Sequence, residues 1–276
     1  REVFTAGVGP VSSNWDRAIE LYYQIKGGCA DYGAGHTAQH AAAGHIRKPA
    51  GKCWAADPSD NPEKYPLAFY PQWDAAHPIH MIGHSQGGTT IRALVQLLEH
   101  GSPDGDEGGA ALYRGGKTGW IKSVVTISAP HNGTTLRDAV LDVLPNLRSP
   151  LRDILDNRLA HWELAPDGAR EFNRWALTSP GIYYFSVATR ATVAGAWCCN
   201  GSDRVIAPVQ SSNYQYPRDD MIPYFKLFAG EFIAGSPAQP GMGSYTQSAP
   251  GRVRIDGSWF ASDGVVNTVS MRAPGG

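Results

Sequence analysis

No stretch of this sequence approaches the ~18 consecutive apolar residues of a membrane-spanning helix, so no stable membrane insertion is expected. Charge of one sign is lacking too. Lys+Arg number 24 against 25 Asp+Glu, a net charge of −1, which leaves no basic field to hold nucleic acid or an anionic surface. Cysteine is scarce: the four residues Cys29, Cys53, Cys198 and Cys199 contain no CxxC pair, so a thiolate zinc site is not expected. Cys29 and Cys53 bracket a Gly-rich segment and can bridge it, which suits an oxidising compartment and hence secretion, whereas Cys198 and Cys199 pair elsewhere or stay free. Histidine is missing beyond position 161. What is abundant is Gly (32) and Pro (20), which implies many loops between short elements. With 276 residues, 42 % apolar and 18 % charged, the chain can bury the core of one large α/β domain. It begins at Arg1 with no visible signal peptide, as a processed protein or a piece of a longer one would.

Periodicity predicts alternating strands and helices. Residues 3–6 read as a short strand, followed by the turn 7–10. A helix begins near Ser13, with Trp15, Ala18, Ile19 and Tyr22 at helical spacing and Gly27-Gly28 as its stop. Residues 48–78 are rich in Pro and Asp and read as an irregular surface excursion. Residues 79–83 form a short apolar strand of the buried kind, and 86–100 a helix whose Ile91, Leu94, Val95 and Leu98 make one apolar face. Strands follow at 121–127 and 182–188, and 136–160 offers amphipathic pieces broken by Pro145 and Pro150. Such alternation argues for a mostly parallel, doubly wound sheet in one domain spanning 1–276.

Gly83-His84-Ser85-Gln86-Gly87 matches GxSxG and lies between an apolar strand and an amphipathic helix. That placement makes it a nucleophile elbow rather than an ordinary Gly-rich turn. The tight turn leaves room only for glycine beside the serine, lifts the Ser85 hydroxyl above the sheet edge, and aims the Gln86 N–H at a developing oxyanion. On this α/β-hydrolase pattern the acid and then the histidine follow the serine. His131 and His161 follow it, and His131 reads better as a structural hydrogen-bonding group.

Further blocks carry a family resemblance: residues 7–18 (GVGPVSSNWDRA), 31–36 (DYGAGH), the elbow with its helix, 128–136 (SAPHNGTTL) and 263–271 (DGVVNTVSM). In this order they resemble the thermoalkalophilic bacterial lipases and their polyester-cleaving relatives. The resemblance implies an α/β-hydrolase fold and a secreted carboxylic ester hydrolase. Ser85 matches the nucleophile and Asp263 the triad acid, although the local Ser-Asp-Gly sequence by itself says only turn. The family's histidine lies several dozen residues beyond the acid and its first oxyanion donor upstream of Val3. Residues 1–276 are therefore expected to be an excerpt lacking the base. A non-catalytic relative, or an amidase or acyltransferase on the same elbow, is the alternative.

Asp16, His36, His40 and His45 form a carboxylate–imidazole cluster suited to zinc. Helical spacing favours His36 with His40. The resemblance instead implies Asp16, His36, His45 and Glu163 around a structural zinc that pins the 28–47 part of the 28–78 excursion to the segment before a helix at 168–176. The competing reading of Asp16 is a capping box with Ser13. A calcium site is compatible with the family but falls on no residue here. The lid region, 136–162, is short at roughly 25 residues, with Leu136, Val140, Leu141 and Leu144 as one apolar flap. An open cleft, short or polymeric esters and a monomeric enzyme are the corresponding expectations.

Overall fold

The computed structural model describes residues 2–10, 12–41, 47, 51–59, 64–103, 105, 108, 110–135, 162–190, 192–194, 203–205, 253–255, 257–259, 261, 263 and 265–274. The chain forms two compact units, 1–125 with 174–185 and 126–173 with 186–276, so it crosses between them at 125/126, 173/174 and 185/186.

In the first unit, helix α1 (Asn14–Lys26) starts where Ser13 accepts a hydrogen bond from the Asp16 N–H at 3.1 Å and ends at Gly27, whose φ is 92°. An added Cβ at Gly27 would meet Ala56 Cβ at 2.7 Å, so both the turn and the packing exclude a larger residue. Strand β1 (Gly28–Cys29) pairs antiparallel with β2 (Cys53–Trp54), and a disulfide joins Cys29 to Cys53 across that pair. The expected bridge is therefore formed. Cys198 and Cys199 lie outside the described residues.

Strand β3 (Ile79–His84) leads into helix α3 (Gln86–Glu99), and β4 (Ile121–Ile127) and β5 (Tyr183–Val187) complete a sheet of order β3-β4-β5. The pairing is parallel: Ile79 at the start of β3 donates to Trp120 O just before β4 (3.0 Å), and Ser128 just after β4 donates to Val187 O at the end of β5 (3.0 Å). A short helix α2 (Ala34–Gln39) precedes β2.

Three local readings change. Residues 3–6 pair with no strand among the described residues; Phe4 stacks on Phe69 instead, and Gly7 exchanges hydrogen bonds with the Gln24 amide (3.1 and 2.5 Å). Strand β3 is not buried on both faces: Met81 and Gly83 face the interior while His80, Ile82 and His84 are exposed, because only one face packs on α3. Helix α3 shows the reverse. Its apolar face is buried as expected, yet Thr89, Thr90, Arg92 and Gln96 are buried as well.

Each of these polar groups has a partner. Thr89 donates to Asn14 Oδ1 (2.8 Å), Arg17 donates to Thr90 (2.9 Å), and Arg92 donates to the Ala176 carbonyl (2.9 Å). Gln96 accepts from Leu177 N (3.2 Å) and donates to Gly101 O (3.2 Å). Burial of the Arg92 guanidinium lowers its pKa to about 10.

In the second unit, side chains stitch segments that are distant in sequence. Helix α4 (Pro166–Trp175) begins in it, a two-stranded ribbon pairs β6 (Thr192–Ala194) with β7 (Asp203–Val205), and helix α5 (Thr268–Arg272) closes the described chain. Residues 131–135 run against 265–270. Thr135 N donates to Asn267 Oδ1 (3.0 Å), Thr134 Oγ1 to Val265 O (2.5 Å) and Ser270 Oγ to Gly133 O (2.6 Å). Asn267 is fully buried and donates to Trp259 O (2.7 Å). The lid region, apart from Trp162, lies outside the described residues, and among those described no helix is long and apolar enough to cross a membrane.

The Cys29–Cys53 bridge closes a loop of sequence separation 24. Reduction, or the Cys29→Ser/Cys53→Ser double variant, is expected to lower stability by about 3 kcal/mol, read as a shift in the denaturant midpoint.

Candidate active site

Ser85 occupies a backbone conformation that its side chain does not favour, with φ 53° and ψ −130°. The strand-to-helix reversal imposes this. A Cβ at Gly83 would lie 2.6 Å from both Gly87 C and Gly88 N, so the last turn of β3 and the first turn of α3 touch backbone to backbone. Gly87 differs: its Cβ position meets nothing within 4 Å, so the expectation that the turn requires glycine on both sides of the serine holds only at 83. Ser85 is half-buried, and its hydroxyl makes no side-chain capping bond to α3. Gln86 follows as the first residue of α3, which leaves its N–H without an intrahelical acceptor. Its side chain reaches Ser12 O at 3.5 Å. A hydroxyl beside a helix N-terminus is suited to attack a carbonyl, and the helix N–H to stabilise the resulting oxyanion.

Asp263 belongs to the second unit, on the turn before α5. Its Oδ1 accepts from Val265 N and Val266 N, both at 2.9 Å, so the turn that local sequence suggests is present. Its Oδ2 accepts the Thr189 hydroxyl at 2.8 Å. Ser128, the neighbour of Thr189, opens the 128–136 block, but nothing in the sequence gives it or Thr189 a functional role. His131 is buried in the same unit, its Nε2 3.0 Å from the Thr126 hydroxyl, as a structural role requires. His161 lies outside the described residues.

The proposed metal ligands divide into three groups. Asp16 and His36 are brought together: Nε2 lies 3.2 Å from Oδ1, with the residues 9 % and 6 % exposed for His36 and Asp16 respectively. Trp15 stacks on the His36 ring at 5.1 Å, and His40 stands edge-on to it at 4.6 Å. Glu163 is half-buried on a helical turn of the second unit. His45 lies outside the described residues. A buried carboxylate facing an imidazole nitrogen is a donor pair that suits zinc. Among the described residues, no group of three or more His, Cys, Asp or Glu converges as a metal cluster.

The segment carrying His36 is held from both sides. Trp15 Nε1 donates to Tyr32 O (2.9 Å), and the Tyr113 hydroxyl donates to Asp31 O. Beside it, buried Glu20 accepts from Tyr32 OH (2.7 Å), Gly9 N (2.8 Å) and Lys52. Burial, and then the hydrogen bond to Glu20, push the Tyr32 phenol far above its ordinary range.

Comparison with known proteins places the chain among lipases. The family model described as the lipase-like C-terminal domain matches residues 1–147. A lipase of Staphylococcus epidermidis is 32 % identical over 244 residues, covering 70 % of this chain and 33 % of that protein. The chain thus spans about a third of the length of that relative. Among solved structures, EstA from Clostridium botulinum superposes with a TM-score of 0.71 at 32 % identity, covering 98 % of this chain and 65 % of that one. Lipase 1 from Pelosinus fermentans gives 0.65 at 34 % identity, covering 99 % and 74 %. These structural neighbours are of the α/β-hydrolase type.

The two glycines of the elbow should respond differently. Gly83→Ala is expected to cost at least about 2 kcal/mol, because backbone must move to admit the methyl. Gly87→Ala should stay within about 0.5 kcal/mol of the parent in the same denaturant titration.

Proposed function

Because the chain belongs to the bacterial lipase family, we propose that it hydrolyses carboxylic esters through Ser85 and an acyl-enzyme. The observation that carries this reading is the strained φ of Ser85 at the junction of β3 and α3, stabilised by the contact at Gly83. Strain of this kind, about 1–3 kcal/mol, persists where the surrounding structure over-determines it, and it is concentrated at reacting groups.

In the proposed reaction the Ser85 Oγ attacks the ester carbonyl carbon while its proton passes to an imidazole. The tetrahedral oxyanion accepts the Gln86 N–H at the positive end of α3. The alcohol departs with the proton, and water then releases the acid. Asp263 orients the imidazole. The Nε2 of His131 faces the Thr126 hydroxyl at 3.0 Å, so we assign His131 a structural role rather than that of the base. The short stretch between Leu136 and Trp162 favours an open cleft, and with it short acyl esters or polyester chains over long triglycerides. The enzyme acts as a secreted monomer on this reading, and the Cys29–Cys53 bridge is compatible with an oxidising environment.

We further assign Asp16 and His36 to a structural zinc site, with His45 and Glu163 as the remaining ligands. When bound, zinc supplies a cross-link rather than chemistry at Ser85. Asp16 presents its carboxylate from the first turn of α1, and Trp15 holds the His36 ring in place.

The full-length protein is expected to hydrolyse p-nitrophenyl butyrate and to take up a fluorophosphonate probe, and Ser85→Ala should lose both. Full activity in that variant would overturn the assignment of the nucleophile; absence of labelling in the parent protein would favour a non-catalytic relative. For the metal, elemental analysis should find about one zinc per chain, lost in Asp16→Asn. Chelation should lower the melting midpoint by roughly 5–10 °C. A metal-free protein with an unchanged midpoint would refute the zinc site.

A further inference from the structure

We propose that Thr189 is a positioning residue for Asp263, with Ser128 setting the direction of its proton; this rests on the reading of Asp263 as the acid. The two oxygens of Asp263 are used differently. Oδ1 is occupied by the N–H groups of Val265 and Val266, which fixes the side chain to its own turn. Oδ2 takes a side-chain donor, the Thr189 hydroxyl at 2.8 Å. An ionised carboxylate oxygen accepts from more than one direction, so Oδ2 retains a position for an imidazole N–H.

The hydroxyl of Thr189 has one proton and three neighbours: Asp263 Oδ2 at 2.8 Å, Ser128 Oγ at 2.7 Å and Met271 Sδ at 3.4 Å. A carboxylate is the strongest acceptor of the three and a thioether the weakest. The proton therefore lies toward Asp263, and Ser128 donates to Thr189. The result is a directed chain, Ser128 to Thr189 to Asp263, that polarises along its length.

Both hydroxyl-bearing residues are anchored. Ser128, like Ser85, is a non-glycine residue with positive φ, 51°, and its N–H holds Val187 O at the end of β5. Thr189 is clamped to α5 through its carbonyl, which accepts from Thr268 Oγ1 (2.8 Å), and its N–H, which meets Met271 Sδ (3.2 Å). The ends of two parallel strands thus bring a Ser128–Thr189 hydroxyl pair to a carboxylate on the turn before α5, and the Thr189 hydrogen bond limits rotation about its terminal bond. Rotation would misalign the imidazole, so the consequence belongs to the chemical step rather than to substrate binding.

The test uses the full-length enzyme and p-nitrophenyl butyrate. Thr189→Val, which keeps the shape and removes the hydroxyl, is expected to lower kcat on the order of tenfold with KM unchanged. Thr189→Ser should restore kcat, a rescue that loss of packing alone would not produce. Ser128→Ala leaves Thr189 intact, removes the donor behind it and should lower kcat about threefold; it decides the matter if Thr189→Val does not fold. Wild-type kcat in Thr189→Val, or equal losses in Val and Ser, would overturn the proposal, as would an unchanged kcat in Ser128→Ala. Full activity in Asp263→Ala would instead remove the acid assignment itself, whereas loss in Asp263→Ala with no effect at Thr189 refutes only the positioning role.

Discussion

The contact between Gly83 and the backbone of Gly87 and Gly88 is the constraint around which the first unit is organised. It forces β3 to end against the first turn of α3 and leaves Ser85 in a conformation disfavoured by about 1–3 kcal/mol. Burial on α3 is much larger. Ile91, Leu94, Val95, Leu97 and Leu98 are almost wholly removed from water, and each contributes roughly 1.5–3 kcal/mol. Hydrogen bonds from Thr89, Arg92 and Gln96, and that of Arg17 to Thr90, then fix the helix in rotation as well as depth. A helix so tethered cannot relax to relieve the serine.

Helix α1 reconciles two readings of Asp16 that looked like rivals. Its backbone N–H is capped by Ser13, while its carboxylate faces His36, so the cap and the imidazole contact use different atoms. The same helix carries Glu20 one turn further on, where a buried carboxylate gathers Tyr32, Lys52 and Gly9. The loop preceding α1 and the segment that bears His36 are thereby tied to one helix, in addition to the disulfide.

The second unit applies a related economy to Asp263. One oxygen builds the turn and the other meets a hydroxyl from a strand end, so a residue with an unremarkable local sequence becomes rigidly oriented. The 131–135 segment and the 265–270 segment depend on each other through Asn267, Thr134 and Ser270, each contributing side chain to backbone.

Local pattern accounted for what local forces control. The bounds of α1 follow from Ser13 and Gly27, the extent of α3 from its apolar spacing, and the elbow from glycine and serine set between a strand and a helix. The Cys29–Cys53 pair was equally legible, because only two half-cystines flank that segment. Spacing could not distinguish Asp263 from a turn aspartate, since both readings give the same local bonds; only the family resemblance points to the acid. Residues 3–6 pair with no strand among the described residues, and α3 is buried more completely than its amphipathic pattern implies because its polar residues find partners far along the chain. Thr189 and Ser128 were invisible for the same reason. They lie 61 residues apart and meet only because β4 and β5 run parallel and end together, an arrangement that backbone pairing creates and no short stretch of sequence encodes.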